Sequence, residues 1–425
     1  MKITETDLEI QREPFARPFG FKGSAFHEKW NMIVRLRDED GSESVGVGGL
    51  AVLWSDANVF NAHTEVGGNL LQASILESAL QHVKSREYAD PPSILADVLP
   101  KAFAYGRTIT GNDHLRLTFV LIALVALDNA AWLLFSKQND ITTFDGIIPP
   151  WATDTLSHRQ DAVATVPAVG YTLPMSELEQ ILQAGAYVLK IKIGHIGDQA
   201  DMVTRDKTWL SQIHDLASNH RSAMTESENI LYYLDANGRY TTKSGMRELL
   251  EHADRIGALE RIILIEEPFD ESVEIDVSDL PARFAADESV HTVEDVHSRA
   301  TQGYGGLAIK PAGKTLSFAF EMVQVGSELG MECFVADNGC VPLLVEWNKN
   351  IAARLQAFPG LRSGLMESNG PENYATWDRL ISELPIPDSS WLKPKNGAFR
   401  LDQEYYARSG NIFEIPESYA NLIRN

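Results

Sequence analysis

From about residue 145 onward, two hydrophobic periods alternate along the chain. Short, continuous, β-branched runs such as YVLKIKIG, ILYYLDANG, RIILIEEP and GLAIKP have the length and composition of buried strands. Between them, apolar residues recur every three or four positions, as at Met246, Leu249, Leu250, Ala253 and Ile256, which is the period of an amphipathic helix. Strands alternating with helices predict a parallel sheet. Eight strands are expected, near 164–171, 187–193, 230–235, 261–266, 282–287, 305–310, 332–337 and 361–367. In a closed barrel of this kind the carboxyl ends of all the strands face one mouth.

The first 140 residues follow a different pattern. DLEIQRE, KWNMIVRLRD and ESVGVGGLAVLW read as three strands, and helical spacing then fills 69–86, 93–106 and 112–136. This is an α+β unit ahead of the barrel. The stretches Pro14 to Glu28 and Ser55 to Gly68 read as long loops, either surface connectors or lids over a site. Arg17 and Lys22 in the first are either solvated or hold an anionic group. The apolar run LTFVLIALVAL, 117–127, stops at Asp128 and Asn129, well short of the roughly 20 residues a membrane span needs, so it predicts a buried helix. The expected units are 1–140, 141–385 for the barrel, and a tail, 386–425, with no further strand and helix, packing back on the first unit.

A chain of 425 residues accommodates a barrel of about 250 residues plus such a second unit. The formal charge of −22 excludes a nucleic acid or an anionic membrane surface as an expected partner, because phosphate binding needs a basic patch. Cys333 and Cys340 are the only cysteines and cannot build a disulfide framework, and no charged-then-apolar leader is visible at the start. A reducing cytoplasm is the expected location.

Charge closes the strands where a turn is expected: Lys190 and Lys192, Asp235, Glu266, Asp287 and Lys310, in segments about 20 to 45 residues apart. Barrel topology brings these ends together. Each acid alone reads equally well as a salt-bridge partner or helix cap. Three on consecutive strands repel one another unless a cation neutralises them, and oxygen ligands without histidine or thiolate favour Mg²⁺, with Mn²⁺ as the alternative. Lys190 and Lys192, two apart, share a face of their strand. Lys310 lies beyond the acidic strands, so amines flank the acids from both sides. That arrangement suits removal of a proton from a carbon next to a carboxylate, with a metal stabilising the enediolate. A lysine base must have its pKa depressed from about 10.4, which a neighbouring cation achieves.

KIK at 190–192, LDAN at 234–237, IEEP at 265–268, ADES at 286–289 and IKP at 309–311 together resemble the enolase superfamily, specifically its muconate-lactonizing-enzyme subgroup. The resemblance covers nearly the whole chain. It implies a (β/α)₇β-type TIM barrel with an N-terminal α+β capping domain, and a Mg²⁺-dependent homo-oligomer acting on a small-molecule carboxylate with a lysine base. It puts the metal on Asp235, Glu266 and Asp287. Lys192 becomes the acid/base on one face of the substrate, Lys310 the acid/base or stabilising cation on the other, and Lys190 an electrostatic helper. Asn237, Glu267 and Glu288 are expected to support the ligands. Lys314 is a rival to Lys310, expected instead on the following helix.

The mandelate-racemase subgroup would need a histidine at the end of strand seven, where CFVADNG has Asp337; His195 is the nearest alternative histidine and reads as structural. Dipeptide epimerases carry a DxD pair at strand eight, where this chain has Glu367 and Asn369. Asp337, Glu367 and Asn369 are the expected substrate-binding residues, with the two acids repelling each other until a cationic substrate group arrives. Racemisation or epimerisation of an amino-acid derivative or dipeptide is the expected reaction. Acid-sugar dehydration and cycloisomerisation share its first step, and a metal-binding scaffold is the non-enzymatic alternative.

Overall fold

The computed structural model describes residues 1–21 and 24–423. Lys22 lies outside the described residues. The capping domain opens with an antiparallel meander of β1 (Ile3–Phe21), β2 (Ser24–Asp38) and β3 (Glu43–Gly49). The stretch expected as a loop from Pro14 to Glu28 is instead the far end of the β1–β2 hairpin. Pro14 pairs with Glu28 and Phe19 with Phe26 across a register shift. Pro14 and Pro18 signal a loop, but β1 is an edge strand, where proline is tolerated, and the register shift between Pro14 and Phe19 spans Pro18.

The second expected loop is also ordered. It holds α1 (Val52–Ser55) and α2 (Ala57–Ala62), the latter started by Asp56, whose carboxylate accepts from the Asn58 and Val59 amides. Next come α3 (Glu65–Val83), α4 (Pro91–Thr110) and α5 (Leu117–Gln138). Helix α5 is long and apolar enough to cross a bilayer, yet it is almost wholly buried in the fold. It lies directly on β3. A Cβ at Gly48 would stand 2.5 Å from the Ala126 nitrogen, and one at Gly46 would collide with the Ala130 backbone, which accounts for the alternating glycines of VGVGG.

The barrel strands are β4 (Ala162–Ala164), β5 (Ala168–Val169), β6 (Val188–Lys192), β7 (Leu231–Asp235), β8 (Ile262–Glu266), β9 (Phe284–Ala286), β10 (Gly306–Ile309), β11 (Glu332–Val335) and β12 (Gly364–Leu365). A parallel sheet runs β11-β10-β9-β8-β7-β6-β5. The first expected strand is split into β4 and β5 where Val166 takes φ 48° before Pro167. Its front half pairs with β12, and a bridge from Val335 to Met366 joins β12 to β11, closing the ring.

The tail differs from expectation. It contains β13 (Ala398–Arg400), which pairs antiparallel with β4, so part of the tail lies on the barrel. Farther on, Phe413, Ile415 and Ile423 share a cavity with Arg35, Val45 and Leu133 of the capping domain.

Candidate active site

Strand β6 ends with Lys190 and Lys192 directed to the same side, and β7 and β8 deliver Asp235 and Glu266 at their last positions. Asp287 follows β9 and Lys310 follows β10. Lys190 Nζ is at the centre, 3.0 Å from Asp235 Oδ2, 2.6 Å from Glu266 Oε2 and 2.9 Å from Glu367 Oε2, with the Tyr233 ring 4.7 Å away. Lys192 Nζ lies 2.5 Å from Asp235 Oδ2 and donates to Asn237 Oδ1 at 3.0 Å. On the far side Lys310 Nζ is 2.6 Å from Asp287 Oδ2 and 4.5 Å from the Trp54 ring centroid.

Burial opposes the charge on Lys190, but Asp235, Glu266 and Glu367 outweigh it and hold the ammonium well above the ordinary lysine value. Lys310 is likewise raised, burial being overcome by Asp287, Glu266 and Glu288. Both are therefore held as charged ammonium groups. Lys192 is the most open of the three, with its side chain 25% exposed against 3% and 4% for Lys190 and Lys310.

The turns after β7 and β8 carry the supporting residues. Asn237 (φ 45°) and Glu267 (φ 40°) adopt left-handed backbone. Asn237 Nδ2 donates to Glu288 Oε1 at 3.2 Å. Glu267 Oε2 accepts from the Asp287 amide (2.8 Å), the Ser289 amide (3.3 Å) and the Ser289 hydroxyl (3.0 Å), which fixes the backbone carrying Asp287. Burial, with Glu288 adding, pushes the Glu267 carboxyl up to about 8.

These acids have oxygens to spare. Glu266 Oε1, Asp287 Oδ1 and Glu288 Oε2 are buried without a donor, and Glu266 Oε2 meets the Lys190 ammonium. Such hard, unsatisfied carboxylate oxygens at the ends of β8 and β9, beside Asp235 at the end of β7, suit a divalent cation. Among the described residues no three acids close on a common point, because lysine ammonium groups stand between them and neutralise them. The donor chemistry fits the metal, while the present geometry is a lysine-compensated one.

Lys314 lies on the short helix Pro311–Lys314 after β10; it is fully buried, and its Nζ donates to the Asp287 carbonyl at 2.7 Å and the Val290 carbonyl at 2.8 Å. One expectation, that of Asp337 and Glu367, needs correction. Asp337 and Glu367 do not repel each other across an empty pocket. Asp337 accepts from the amides of Asn338 (2.7 Å), Cys340 (3.1 Å) and Asn369 (3.1 Å). Glu367 is held by Lys190, by the Asp337 amide at 3.2 Å and by Asn369 Nδ2 at 3.3 Å. Backbone donors and a lysine supply the compensation that was expected from a substrate cation. His195 is bound by Asp206, Nδ1 to Oδ1 2.6 Å, and packs on Tyr171, so its ring is fixed from both sides.

Asp337, Glu367 and Asn369 line one side of a cavity of about 40 Å³ bounded by the lysines and acids; Phe26, Ala51 and Trp54 of the capping domain line the other side. The hairpin crosses the mouth, with Phe15 bridged to Tyr374 and Arg17 3.7 Å from Glu177. Phe26 and the role of Trp54 left no periodic signal in the sequence, since their contacts span two domains. A larger cavity, about 650 Å³, opens beside Trp132, Phe135 and Trp151 at the seam of cap and barrel. It is lined by acids and aromatic rings but by no lysine.

No family model matches the chain, and no curated protein matches it. Solved structures do. A mandelate racemase/muconate lactonizing protein from Herpetosiphon aurantiacus is 15% identical with TM-score 0.65, over 94% of this chain and 96% of that one. A dipeptide epimerase from Enterococcus faecalis V583, complexed with Mg and the dipeptide L-Leu-L-Tyr, is 16% identical with TM-score 0.65, over 95% and 98%. The L-Ala-D/L-Glu epimerase from Bacillus subtilis is 17% identical with TM-score 0.63, over 89% and 92%. The chain thus has the fold of these proteins.

Proposed function

We propose that this protein is a Mg²⁺-dependent racemase or epimerase that removes and returns the proton alpha to the carboxylate of an amino-acid derivative or dipeptide. The observation that carries the reading is the placement of Lys192 and Lys310 at opposite ends of the arc β6 to β10, with Asp235, Glu266 and Asp287 on the three strands between. A divalent cation held by Asp235, Glu266 and Asp287 would supply positive charge for the substrate carboxylate and for the enediolate derived from it. Lys192, in its neutral form, takes the alpha proton, and the C–H electron pair moves into the carboxylate to give the enediolate. Lys310 then delivers a proton from its ammonium to the carbon on the other face, inverting the centre. Lys190 remains charged and steadies the developing negative charge.

Epimerisation is favoured over dehydration of an acid sugar by the cap side of the cavity. Phe26, Ala51 and Trp54 offer carbon surface suited to an amino-acid side chain, whereas sugar hydroxyls placed there would lose hydrogen bonds to water. The finding of Mg and dipeptide in a structural neighbour agrees with this choice. We further infer a cytoplasmic location, consistent with two unpaired cysteines.

The deciding experiment is alpha-proton exchange in deuterated water with Mg²⁺ across N-acyl amino acids, dipeptides and acid sugars. Exchange and loss of chirality in the first two groups is expected. Dehydration of acid sugars alone would replace the epimerase reading with the elimination one, and absence of exchange throughout the panel would remove the enediolate reading.

A further inference from the structure

Lys29 lies on β2 of the capping domain and is completely buried. Its passage is built into the fold: a Cβ on Gly49 would stand 2.5 Å from Lys29 Cε, so glycine at that position leaves room for the lysine stem. At the end of this passage the ammonium donates to the Asn338 carbonyl at 2.8 Å, and no carboxylate among the described residues lies within ion-pair distance of it. Burial lowers its pKa from the ordinary lysine value. A desolvated ammonium with one carbonyl acceptor is costly, and a methionine of similar length would avoid the cost. Stability therefore does not explain the residue.

Its partner does. Asn338 belongs to the turn after β11 and lines the active-site cavity. Its Nδ2 donates to the Ala312 carbonyl at 3.2 Å, two residues beyond Lys310, and its Oδ1 faces the Cys340 thiol at 3.0 Å. Asp337 closes the same turn through the Asn338 and Cys340 amides. The cap lysine thus holds a carbonyl at the point where the walls carrying Lys310, Asp337 and Glu367 meet.

We propose that Lys29 is a positioning residue: by holding the Asn338 carbonyl it ties the 337–340 turn to the capping domain, so that seating of the cap sets the substrate-facing wall of the barrel. It touches no reacting atom. The effect on substrate affinity rests on the proposed function; the effect on the turn does not.

The test uses the full chain with Lys29→Met and peptide-resolved alkylation of the two cysteines. Cys340 is buried inside the turn and reports its opening, while Cys333, on β11, is the internal control. Alkylation of Cys340 is expected to accelerate about tenfold with Cys333 unchanged, as for a local opening made easier without global loosening. Mg²⁺ affinity should be unaltered. With any substrate found in the exchange panel, KM should rise about tenfold while kcat stays within about twofold. Should Lys29→Met not fold, Lys29→Gln retains a donor and should give a smaller acceleration at Cys340. Unchanged Cys340 alkylation in a folded variant, or equal acceleration at both cysteines, overturns the proposal. If no substrate is found, the proposed function fails on its own while the alkylation still decides this one.

Discussion

Lys190 Nζ and Glu266 Oε2 meet at 2.6 Å with neither side chain more than 3% exposed. The two groups pull in opposite directions: burial and the neighbouring acids Asp235 and Asp287 favour a neutral Glu266 against the pull of Lys190, while the carboxylates around Lys190 favour a charged lysine despite its burial. Because Asp235 and Glu367 also contact the ammonium, the lysine stays charged. Lys190 is thus unsuited to be a base, which leaves that task to the more exposed Lys192.

The spare oxygens of Glu266 and Asp287 lead to the first prediction. Asp235→Asn, Glu266→Gln and Asp287→Asn should each weaken Mg²⁺ binding by about 100-fold or more in calorimetry, since each removes a charged hard ligand. Wild-type affinity in all three would place the cation elsewhere.

Lys192→Ala and Lys310→Ala should each cut turnover by about 10³-fold, the scale of a lost general acid or base, with circular dichroism and Mg²⁺ affinity retained. A Lys192→Ala enzyme of near-normal rate would end the two-base scheme.

Lys314→Ala should destabilise the protein by about 3 kcal/mol in urea titration. It strands two buried carbonyls, of Asp287 and Val290, that now share its ammonium. A neutral result would mean that water takes over both acceptors.

Glu367→Gln should slow turnover of every substrate, because Glu367 steadies Lys190 and the Asp337 amide. A rise in KM confined to ammonium-bearing substrates would instead show direct contact with that ammonium.

Asp128, buried in α5, caps the helix Leu316–Glu328 by accepting from the Leu316 and Ser317 amides and the Ser317 hydroxyl. Burial pushes its carboxyl up to about 6. Since the folded state binds this proton more tightly than the unfolded one, its contribution is complete below about pH 4. It is lost as pH rises through about 6, and is flat above, a change of about 3 kcal/mol. Asp128→Asn should remove that part of the pH slope, seen by comparing urea midpoints of the two proteins from pH 4 to 7. Identical slopes would assign it to other groups.

The strand ends were legible because they are local: a β-branched run closing on charge marks Lys190, Asp235, Glu266, Asp287 and Lys310 without reference to distant residues, and barrel topology requires such ends to converge. The hairpin through Pro14 and Phe26 was not, since pairing with β2 overrides the local bias of proline. Tertiary structure alone decided that Lys29 and Lys314 are buried, that β13 joins β4, that Trp54 covers Lys310, and that Asp337 and Glu367 are already compensated. The sequence by itself determined which charges reach the mouth, through the period of the chain. Which charge neutralises which was settled only on folding, because Coulomb and hydrogen-bond energies depend on ångström distances between residues as far apart as Lys190 and Glu367, and on the burial that removes water from between them.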